Sequence, residues 1–418
     1  MPDRHRAGRI RPAHACGALL CTLALWLLAF TAIAAPRIGV ATMQPGEVFF
    51  ERFGHDAIVV VDPDTGAATS YNFGFFDPGE PDFIARFVRG DMRYRLAELP
   101  FEQDMQMYAD AGRGVSVQWL DLQPERASAL ARALELNARP ENAHYRYDYF
   151  LDNCATRVRD AVDFALGGEL RRRLKGRSQG HTYRSEATRL ASPAWWMWLA
   201  FDVGLGPSAD RPLSLWDTAF VPMRLADALA SVPNTAGAPL VESVQPILPH
   251  RLAPEPAGRA RPWWPWALAG LAIGLAAAVI GHRRPALVAG VALPFWALCA
   301  LAGSMMLFIW FGTEHRFGWA NHNLTLFDPL CWLLLPGAWA VARGRTAGRL
   351  FGWTLLAVVA IGVIALFLHW LPVIPQRNAH WIALLLPVHA GLAIGLHHRA
   401  GRAPTPRHAT PEPGTIAR

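Results

Sequence analysis

Cys154 is the residue of this sequence best suited to covalent chemistry. It follows Asp152 and Asn153 directly, and apolar residues then recur at helical spacing as far as Gly167-Gly168. Either Asp152 or Asn153 can cap the start of the predicted helix, and the glycines can end it. Cys154 would then lie in the first turn, where unpaired N–H groups and the helix dipole favour a thiolate. We therefore predict that Cys154 is a nucleophile.

The first 35 residues predict export. Residues 1–11 are polar and basic, residues 17–35 are apolar, and the small residues around Ala34 offer a cleavage site. We interpret residues 1–35 as a signal peptide or, without cleavage, an N-terminal anchor. Residues 36–232 would then form an exported, periplasmic domain.

Cysteine usage agrees with a working thiol in that domain. Of the five cysteines, two lie in the N-terminal signal, and Cys299 and Cys331 lie in apolar stretches further along the chain. Cys154 is thus the only cysteine of the predicted exported domain. An unpaired cysteine in an oxidising compartment is either buried or used. Burial as a small apolar residue is the alternative interpretation.

A cysteine nucleophile needs a neighbouring base, and His55 is the first candidate. It precedes a β-branched run at 57–61, which a strong turn at 62–66 separates from a returning strand at 67–73. His55 is therefore predicted at the start of a β-hairpin. The alternative bases, in less regular segments, are His144 and His181.

The pairing of the two hairpin strands decides which side chains lie beside His55. If Val61 faces Ala67, Tyr71 lies on the same side of the sheet as His55. A slip of one residue brings Asn72 to that side instead. The sequence leaves both registers open.

Composition and charge indicate a membrane protein. Of the 418 residues, 52% are hydrophobic and 17% are charged. The net charge of +7 comes from arginines at segment ends, with Lys175 as the only lysine. The sequence has no basic platform interleaved with aromatic residues, which argues against a nucleic-acid partner.

The chain divides into a soluble part and a membrane part. Strand and helix patterns interleave through 36–232 and predict an α+β domain. Residues 233–262 are rich in Pro and Ala and are interpreted as a linker. Residues 263–397 are predicted to form five transmembrane helices, and residues 398–418 a basic cytoplasmic tail. The five predicted spans are 263–281, 286–311, 324–341, 350–371 and 381–397.

Basic residues predict the orientation of these spans. The connections at 282–284 and 343–349 are basic and belong on the cytoplasmic side. The connection at 312–323, with Asn321 and His322, then faces the exported domain. It is either an ordinary interfacial loop or part of a binding site for a lipid head group.

Several motifs together identify a family resemblance. They are Phe53-Gly54-His55, Tyr71-Asn72-Phe73-Gly74, Tyr145-Arg146-Tyr147-Asp148 and Asp152-Asn153-Cys154-Ala155-Thr156-Arg157. These motifs resemble the exported domain of the Lnb-type lipoprotein N-acyltransferases, and the apolar tail with Asn321-His322-Asn323 is similar too. The order of histidine before asparagine-cysteine resembles the circularly permuted papain-like folds of the NlpC and lecithin:retinol acyltransferase groups.

The resemblance implies a fold and a set of roles. It implies an α+β, permuted papain-like exported domain followed by an all-α, five-span membrane domain. By the resemblance, Cys154 is the nucleophile and His55 its base. The candidates for orienting His55 or holding an oxyanion are Asn153, Asn72 and Tyr71, and those for binding substrate are Arg184, His322 and Asn321.

Three functions are compatible with these residues. The first is acyl transfer in the bacterial inner membrane, from a phospholipid through a Cys154 thioester to an amine such as a lipoprotein N-terminus. The second is a periplasmic papain-like amidase or peptidase acting on cell-wall peptides. The third is a non-enzymatic, membrane-anchored binding module. We expect no metal and no other cofactor, because the sequence has neither ligand spacing nor a glycine-rich phosphate loop.

Overall fold

The computed structural model describes residues 34–258, 262–371 and 373–401. The predicted signal, up to residue 33, and the basic tail from residue 402 lie outside the described residues. The strands are β1 (Arg37–Met43), β2 (His55–Val61), β3 (Ala68–Phe75), β4 (Arg93–Pro100), β5 (Val115–Leu120), β6 (His144–Arg146) and β7 (Val241–Leu248). The helices of this N-terminal part are α1 (Phe83–Arg89), α2 (Phe101–Asp110), α3 (Pro124–Ala138), α4 (Pro140–Ala143), α5 (Cys154–Ala165), α6 (Glu169–Leu174), α7 (Tyr183–Ala191), α8 (Trp195–Gly204), α9 (Leu215–Thr218) and α10 (Pro222–Ala230).

The seven strands form one antiparallel sheet in the order β6-β4-β3-β2-β1-β5-β7. Apolar residues alternate between its faces, as expected for a sheet covered on both sides. Ile58 packs on one face with α3 and α5, whereas Val59 packs on the other with Met105 of α2. The predicted α+β fold is confirmed. Strand β2, which begins at His55, lies in the middle of the sheet.

The hairpin β2–β3 adopts the slipped register. Val61 pairs with Ala68, and Ala57 pairs with Asn72. Ala67 belongs to the turn and not to the strand, because the Asp62 N–H closes the turn by donating to the carbonyl oxygen of Ala67 at 2.9 Å. Asn72 therefore shares the side of His55, and Tyr71 lies on the opposite side.

The predicted linker at 233–262 is partly folded. Its residues 241–248 form β7, which pairs with β5 at the edge of the sheet. Pro246 fits there because an edge strand can spare an N–H group on its open side. Beyond β7, the Arg251 N–H donates to the carbonyl oxygen of Gly112 at 2.9 Å. The N-terminal domain thus continues past the predicted boundary at residue 232.

The C-terminal part is helical. Its helices are α11 (Trp264–Arg283), α12 (Pro285–Gly312), α13 (Cys331–Ala342), α14 (Arg349–Trp370) and α15 (Ala379–Leu396). Within the described residues, four of these helices, all but α13, are long and apolar enough to cross a membrane.

The third predicted span, 324–341, is not a membrane-length helix. Helix α13 has 12 residues, which is about 18 Å against a hydrocarbon thickness of about 30 Å. A 3-10 turn at His322–Thr325 precedes it, and Asp328 and Pro329 separate the two. The prediction of five spans is therefore not confirmed. The apolar stretch begins at residue 324, but the helix within it begins only at Cys331.

Helices α11 and α15 pack backbone against backbone. Both contain the segment Gly-Leu-Ala-Ile-Gly-Leu, at 270–275 and 391–396. A Cβ atom added to Gly391 would overlap the carbonyl oxygen of Gly274. Small residues spaced by four permit such close approach between membrane helices.

Helix α8 joins the two parts. The carbonyl oxygen of Val203 accepts from the side-chain amides of Asn321 at 2.8 Å and Asn323 at 2.9 Å. One carboxylate oxygen of Asp202 accepts from Trp381 Nε1 at 2.9 Å and lies 2.7 Å from His380 Nε2. The N-terminal domain is thus fastened to one end of the helical part.

Candidate active site

Cys154 is the first residue of α5, and Asn153 caps that helix. The Asn153 side-chain oxygen accepts from the Thr156 N–H at 2.9 Å, and Thr156 Oγ1 accepts from the Asn153 N–H at 2.7 Å. This reciprocal capping box fixes the turn that carries the thiol. The Asn153 amide also donates to the carbonyl oxygens of Phe220 at 2.8 Å and Tyr149 at 3.1 Å. Its N–H groups are thus committed to the protein backbone, so Asn153 shapes the site.

The Cys154 thiol is buried beside strand β2. The backbone N–H groups of Asp56, Ala155 and Cys154 itself lie close to the sulfur and act to lower the pKa of the thiol. Burial and the Asp56 charge outweigh them and raise the pKa of Cys154 to about 12. The predicted thiolate is therefore wrong for the resting protein. The N–H groups at the start of the helix stabilise a thiolate, but the loss of hydration on burial destabilises it by more.

His55 belongs to a hydrogen-bonded chain of side chains. Its Nε2 lies 3.0 Å from Asn72 Oδ1, and Asn72 Nδ2 donates to Asp104 Oδ2 at 2.9 Å. The buried Asp104 carboxylate also accepts from Ser70 Oγ at 2.7 Å. Because the Asp104 carboxylate can only accept, the Asn72 NH2 group must point to Asp104 and the Asn72 amide oxygen must face His55. Nε2 must then carry the proton, which leaves Nδ1 as the basic nitrogen.

The surroundings of His55 keep its ring neutral. Burial lowers the pKa of His55 to about 4, with a further contribution from the nearby Arg113 guanidinium, although the bond to Asn72 opposes both. The Tyr108 ring stacks on His55 with a centroid distance of 6.5 Å. Arg113 in turn lies 4.9 Å over the Tyr108 ring. A neutral imidazole can accept a proton throughout the neutral pH range.

Cys154 and His55 share one neighbourhood without a direct hydrogen bond. The residue that follows His55, Asp56, has its backbone N–H at the thiol, and both Tyr108 and Arg113 lie close enough to Cys154 for a thiolate there to raise their pKa values. Among the described residues, no hydrogen bond joins the His55 ring to Cys154. Catalytic contacts of this kind often form only with substrate bound.

Two acidic residues of the site were missed by sequence reasoning. Asp56 is fully buried and accepts from Thr42 Oγ1 at 2.8 Å, while its second oxygen has no partner among the described residues. Burial raises the pKa of Asp56 to about 7. The sequence could have indicated that Asp104 faces inward, because it precedes the inward-facing Tyr108 by four residues and so shares its helix face. The sequence indicates a role for Asp56 less clearly, because its only unusual feature is an acidic residue within a predicted buried strand.

The other predicted residues lie elsewhere. Tyr71 is in the core on the α5 side of the sheet. The Arg184 guanidinium is buried and pairs with Asp210 at 2.9 Å, and its remaining nitrogens donate to the backbone carbonyl oxygens of Asp202 in α8 and of Leu205 just after it. Asn321 and His322 are buried at the junction with α8, where Asn321 bonds Val203. These contacts give Arg184 and Asn321 structural roles at the junction.

The two alternative bases have other surroundings. His144 is exposed at the start of β6. His181 Nδ1 lies 3.2 Å from the buried Glu186 carboxylate. Neither joins the Asn72–Asp104 chain, so the geometry favours His55.

Comparison with known families gives a result that agrees with this architecture. A mixed α/β domain with a thiol site, fixed to apolar helices, defines a membrane protein with an extramembrane domain. The family model described as the Lnb N-terminal periplasmic domain matches residues 25–188, and the Lnb transmembrane domain matches residues 261–397. The chain belongs to the Lnb family, and Cys154 and His55 both lie within the periplasmic domain. Neither a search of curated proteins nor one of solved structures finds a match.

Proposed function

We propose that this protein is a cysteine-dependent acyltransferase of the bacterial inner membrane. It would move a fatty acyl chain from a phospholipid, through a Cys154 thioester, to an amine acceptor. The observation that carries the proposal is that the His55–Asn72–Asp104 chain starts one residue before Asp56, whose backbone N–H lies at the Cys154 thiol. Its attachment to membrane helices supports a lipid substrate, because a site for soluble peptides needs no such attachment.

The first half-reaction forms the thioester. His55 Nδ1 takes the thiol proton of Cys154 as the sulfur attacks the ester carbonyl of the phospholipid. Backbone N–H groups at the start of α5 stabilise the oxyanion of the tetrahedral intermediate. The intermediate collapses, the C–O ester bond breaks, and His55 returns its proton to the leaving lysophospholipid alkoxide.

The second half-reaction releases the acyl chain. The acceptor amine attacks the thioester carbonyl and His55 takes one of its protons. The C–S bond then breaks, an amide forms, and the sulfur regains a proton from His55. The family resemblance points to the N-terminus of a lipoprotein as the acceptor, and a water molecule in its place would make the protein a hydrolase.

One observation favours the non-enzymatic alternative. Cys154 is 8% exposed, and a buried thiol can be a packing residue. Against this, Asn72, Asp104 and Ser70 are buried polar side chains, and burying polar groups is not needed to pack an apolar core. Their chain holds one ring nitrogen of His55 and so serves a base.

Intact mass of the detergent-purified protein, incubated with a phospholipid of known acyl chains, tests the proposal. We expect an added acyl mass that hydroxylamine removes and that is absent in Cys154→Ser. A loss of about a hundredfold or more in the rate of adduct formation is expected for His55→Ala, the size of a general-base contribution. Asn72→Ala should be slowed as well, because the ring loses its orientation.

Two control variants make this result specific. Tyr71→Phe changes the residue next to Asn72 on the opposite side of the sheet, and Cys299→Ser removes a buried cysteine of α12. Both should form the adduct at the parent rate. Acyl transfer by Cys154→Ser at the parent rate would refute the proposal. Release of peptides from murein without any adduct would identify an amidase instead.

A further inference from the structure

The periplasmic domain exposes a row of large apolar side chains. Phe50 belongs to a 3-10 turn at Phe49–Glu51 and is 55% exposed, Ile84 of α1 is 68% exposed, and Trp195 at the start of α8 is 74% exposed. We call the exposed side chains of residues 49–50, of α1 and of residues 195–196 the aromatic ridge. Exposed apolar groups of this size mark contact surfaces when they are contiguous.

Ring contacts make the aromatic ridge continuous. Trp196 stacks on Phe49 with a centroid distance of 6.2 Å. The neighbouring Phe50 meets Phe76 edge to face at 5.3 Å, and Phe76 stacks on Phe83, the first residue of α1, at 5.6 Å. The turn at Phe49–Glu51 therefore bridges α8 and α1.

At one end, the aromatic ridge extends the face of α8 that touches the membrane helices. Trp198 and Leu199 pack in a cluster with Trp266 of α11 and Trp381 of α15. Trp195 precedes these two residues by three and four positions, so it shares their helix face. It therefore adds an exposed ring to the face of α8 that contacts the membrane helices.

The other end has the same arrangement. The Glu314 N–H donates to the carbonyl oxygen of Arg89 in α1 at 2.8 Å, and His315 Nε2 donates to that of Phe87 at 3.0 Å. These two residues lie two and three positions after Gly312, the last residue of α12. Ile84 precedes Phe87 by three positions and lies on the same face of α1. Here too an exposed apolar side chain extends a face that touches the end of a membrane helix.

Exposed tryptophans indicate the level of the membrane surface. Trp264 at the start of α11 and Trp370 at the end of α14 are both exposed, at the end of the bundle that carries the periplasmic domain. Tryptophan concentrates at the head-group level of a bilayer. The ends of the aromatic ridge adjoin this same end of the bundle.

We propose that the aromatic ridge inserts into the head-group region of the bilayer that the membrane helices span. An amphipathic surface of this kind settles about 5–10 Å into the boundary between head groups and acyl chains. The occupant is the phospholipid leaflet, because both ends of the aromatic ridge are already held at the bundle end. The chemistry of Cys154 does not enter this argument, so the inference goes beyond the proposed acyl transfer.

Single-cysteine labelling in nanodiscs tests this insertion. Phe50→Cys, Ile84→Cys and Trp195→Cys are each introduced into the full-length protein with its five native cysteines replaced by Ser, and are labelled with an environment-sensitive fluorophore. The nanodiscs contain phosphatidylethanolamine and phosphatidylglycerol, with or without a lipid that carries a quencher near its head group. We expect blue-shifted emission, loss of most of it to the lipid quencher, and protection from aqueous iodide.

Phe164→Cys is the matched control. Phe164 is exposed at the end of α5 remote from Phe150, and Phe150 contacts Phe317 of the connection at 312–323. Its label should respond to iodide and not to the quencher lipid. Labels on the aromatic ridge that behave like the Phe164 label would overturn the proposal. Protein without an added cysteine gives the background, and Val88→Cys and Trp196→Cys replace any variant that does not fold.

Discussion

At the scale of single residues, the resting site keeps both reacting groups uncharged near neutral pH. Burial raises the pKa of Cys154 to about 12 and lowers that of His55 to about 4. The proton would therefore move only as a substrate carbonyl receives the sulfur, with His55 as a general base. A thiol in this state resists oxidation, which depends on thiolate character and exposure. This suits a cysteine that works in an oxidising compartment.

Asp56 should make the stability of the protein depend on pH. Burial raises its pKa to about 7, against an ordinary value of 3.8. The folded protein therefore binds more protons than the unfolded chain between these values, and stability falls as pH rises through about 7. We expect Asp56→Asn to unfold at a higher temperature than the parent above pH 7 and to lose this advantage near pH 4. The gain is at most about 1.4 kcal/mol for each unit of pKa shift.

Thermal unfolding in detergent at both ends of this pH range measures the effect. Asp62→Asn is the control, because Asp62 is exposed in the hairpin turn and bonds to Thr65 lower its pKa. Its contribution has the opposite sign and is lost as pH falls through the folded pKa. An Asp56→Asn advantage that is equal at both pH values would contradict the electrostatic explanation.

At the scale of elements, local patterns were predictable and distant pairings were not. The start of α5, with Asp152 or Asn153 as its cap, and the hairpin at β2 and β3 each follow from neighbouring residues. Strand β7 depends on pairing with β5, which lies more than a hundred positions earlier. The bond between Asn72 and Asp104 likewise joins residues 32 positions apart. Such contacts can be predicted only when the order of the strands in the sheet is known, because no local periodicity indicates them.

The glycine contact between α11 and α15 gives a prediction at this scale. In Gly391→Ala, the new methyl group meets the backbone oxygen of Gly274, which cannot move unless the helices separate. We expect a loss of roughly 1–3 kcal/mol, the range for overpacking, seen as a lower unfolding temperature in detergent. Gly290→Ala in α12 is the control, since nothing lies within 4 Å of its added Cβ. An unchanged unfolding temperature for Gly391→Ala would refute the contact.

At the scale of the whole molecule, charge is segregated along the helical part. Basic residues cluster at the ends of α11 and α15 remote from the periplasmic domain, for example Arg283, Arg284 and Arg399. The opposite end carries exposed tryptophans. From the positive-inside rule, we expect the basic end to lie in the cytoplasm.

Reporter fusions test this orientation. A fluorescent protein fused after residue 401 should fluoresce, whereas alkaline phosphatase at the same position should stay inactive, because it folds only after export. The matched control places each reporter after residue 258, at the end of the periplasmic domain, where the two results should be reversed. An active phosphatase at residue 401 would contradict this orientation and would show that an even number of spans separates the two positions.

The junction at Asp202 has a geometric consequence. A single carboxylate oxygen is held by both His380 and Trp381, and α1 provides a second attachment through Glu314. Two separated attachments prevent the periplasmic domain from swivelling or leaning, so the thiol stays at a constant height above the bilayer. A partner anchored in the same bilayer then reaches the thiol by lateral diffusion alone, in two dimensions. Under the proposed acyl transfer, an amine held at another height above the bilayer would not reach the thiol, however often its carrier met the protein.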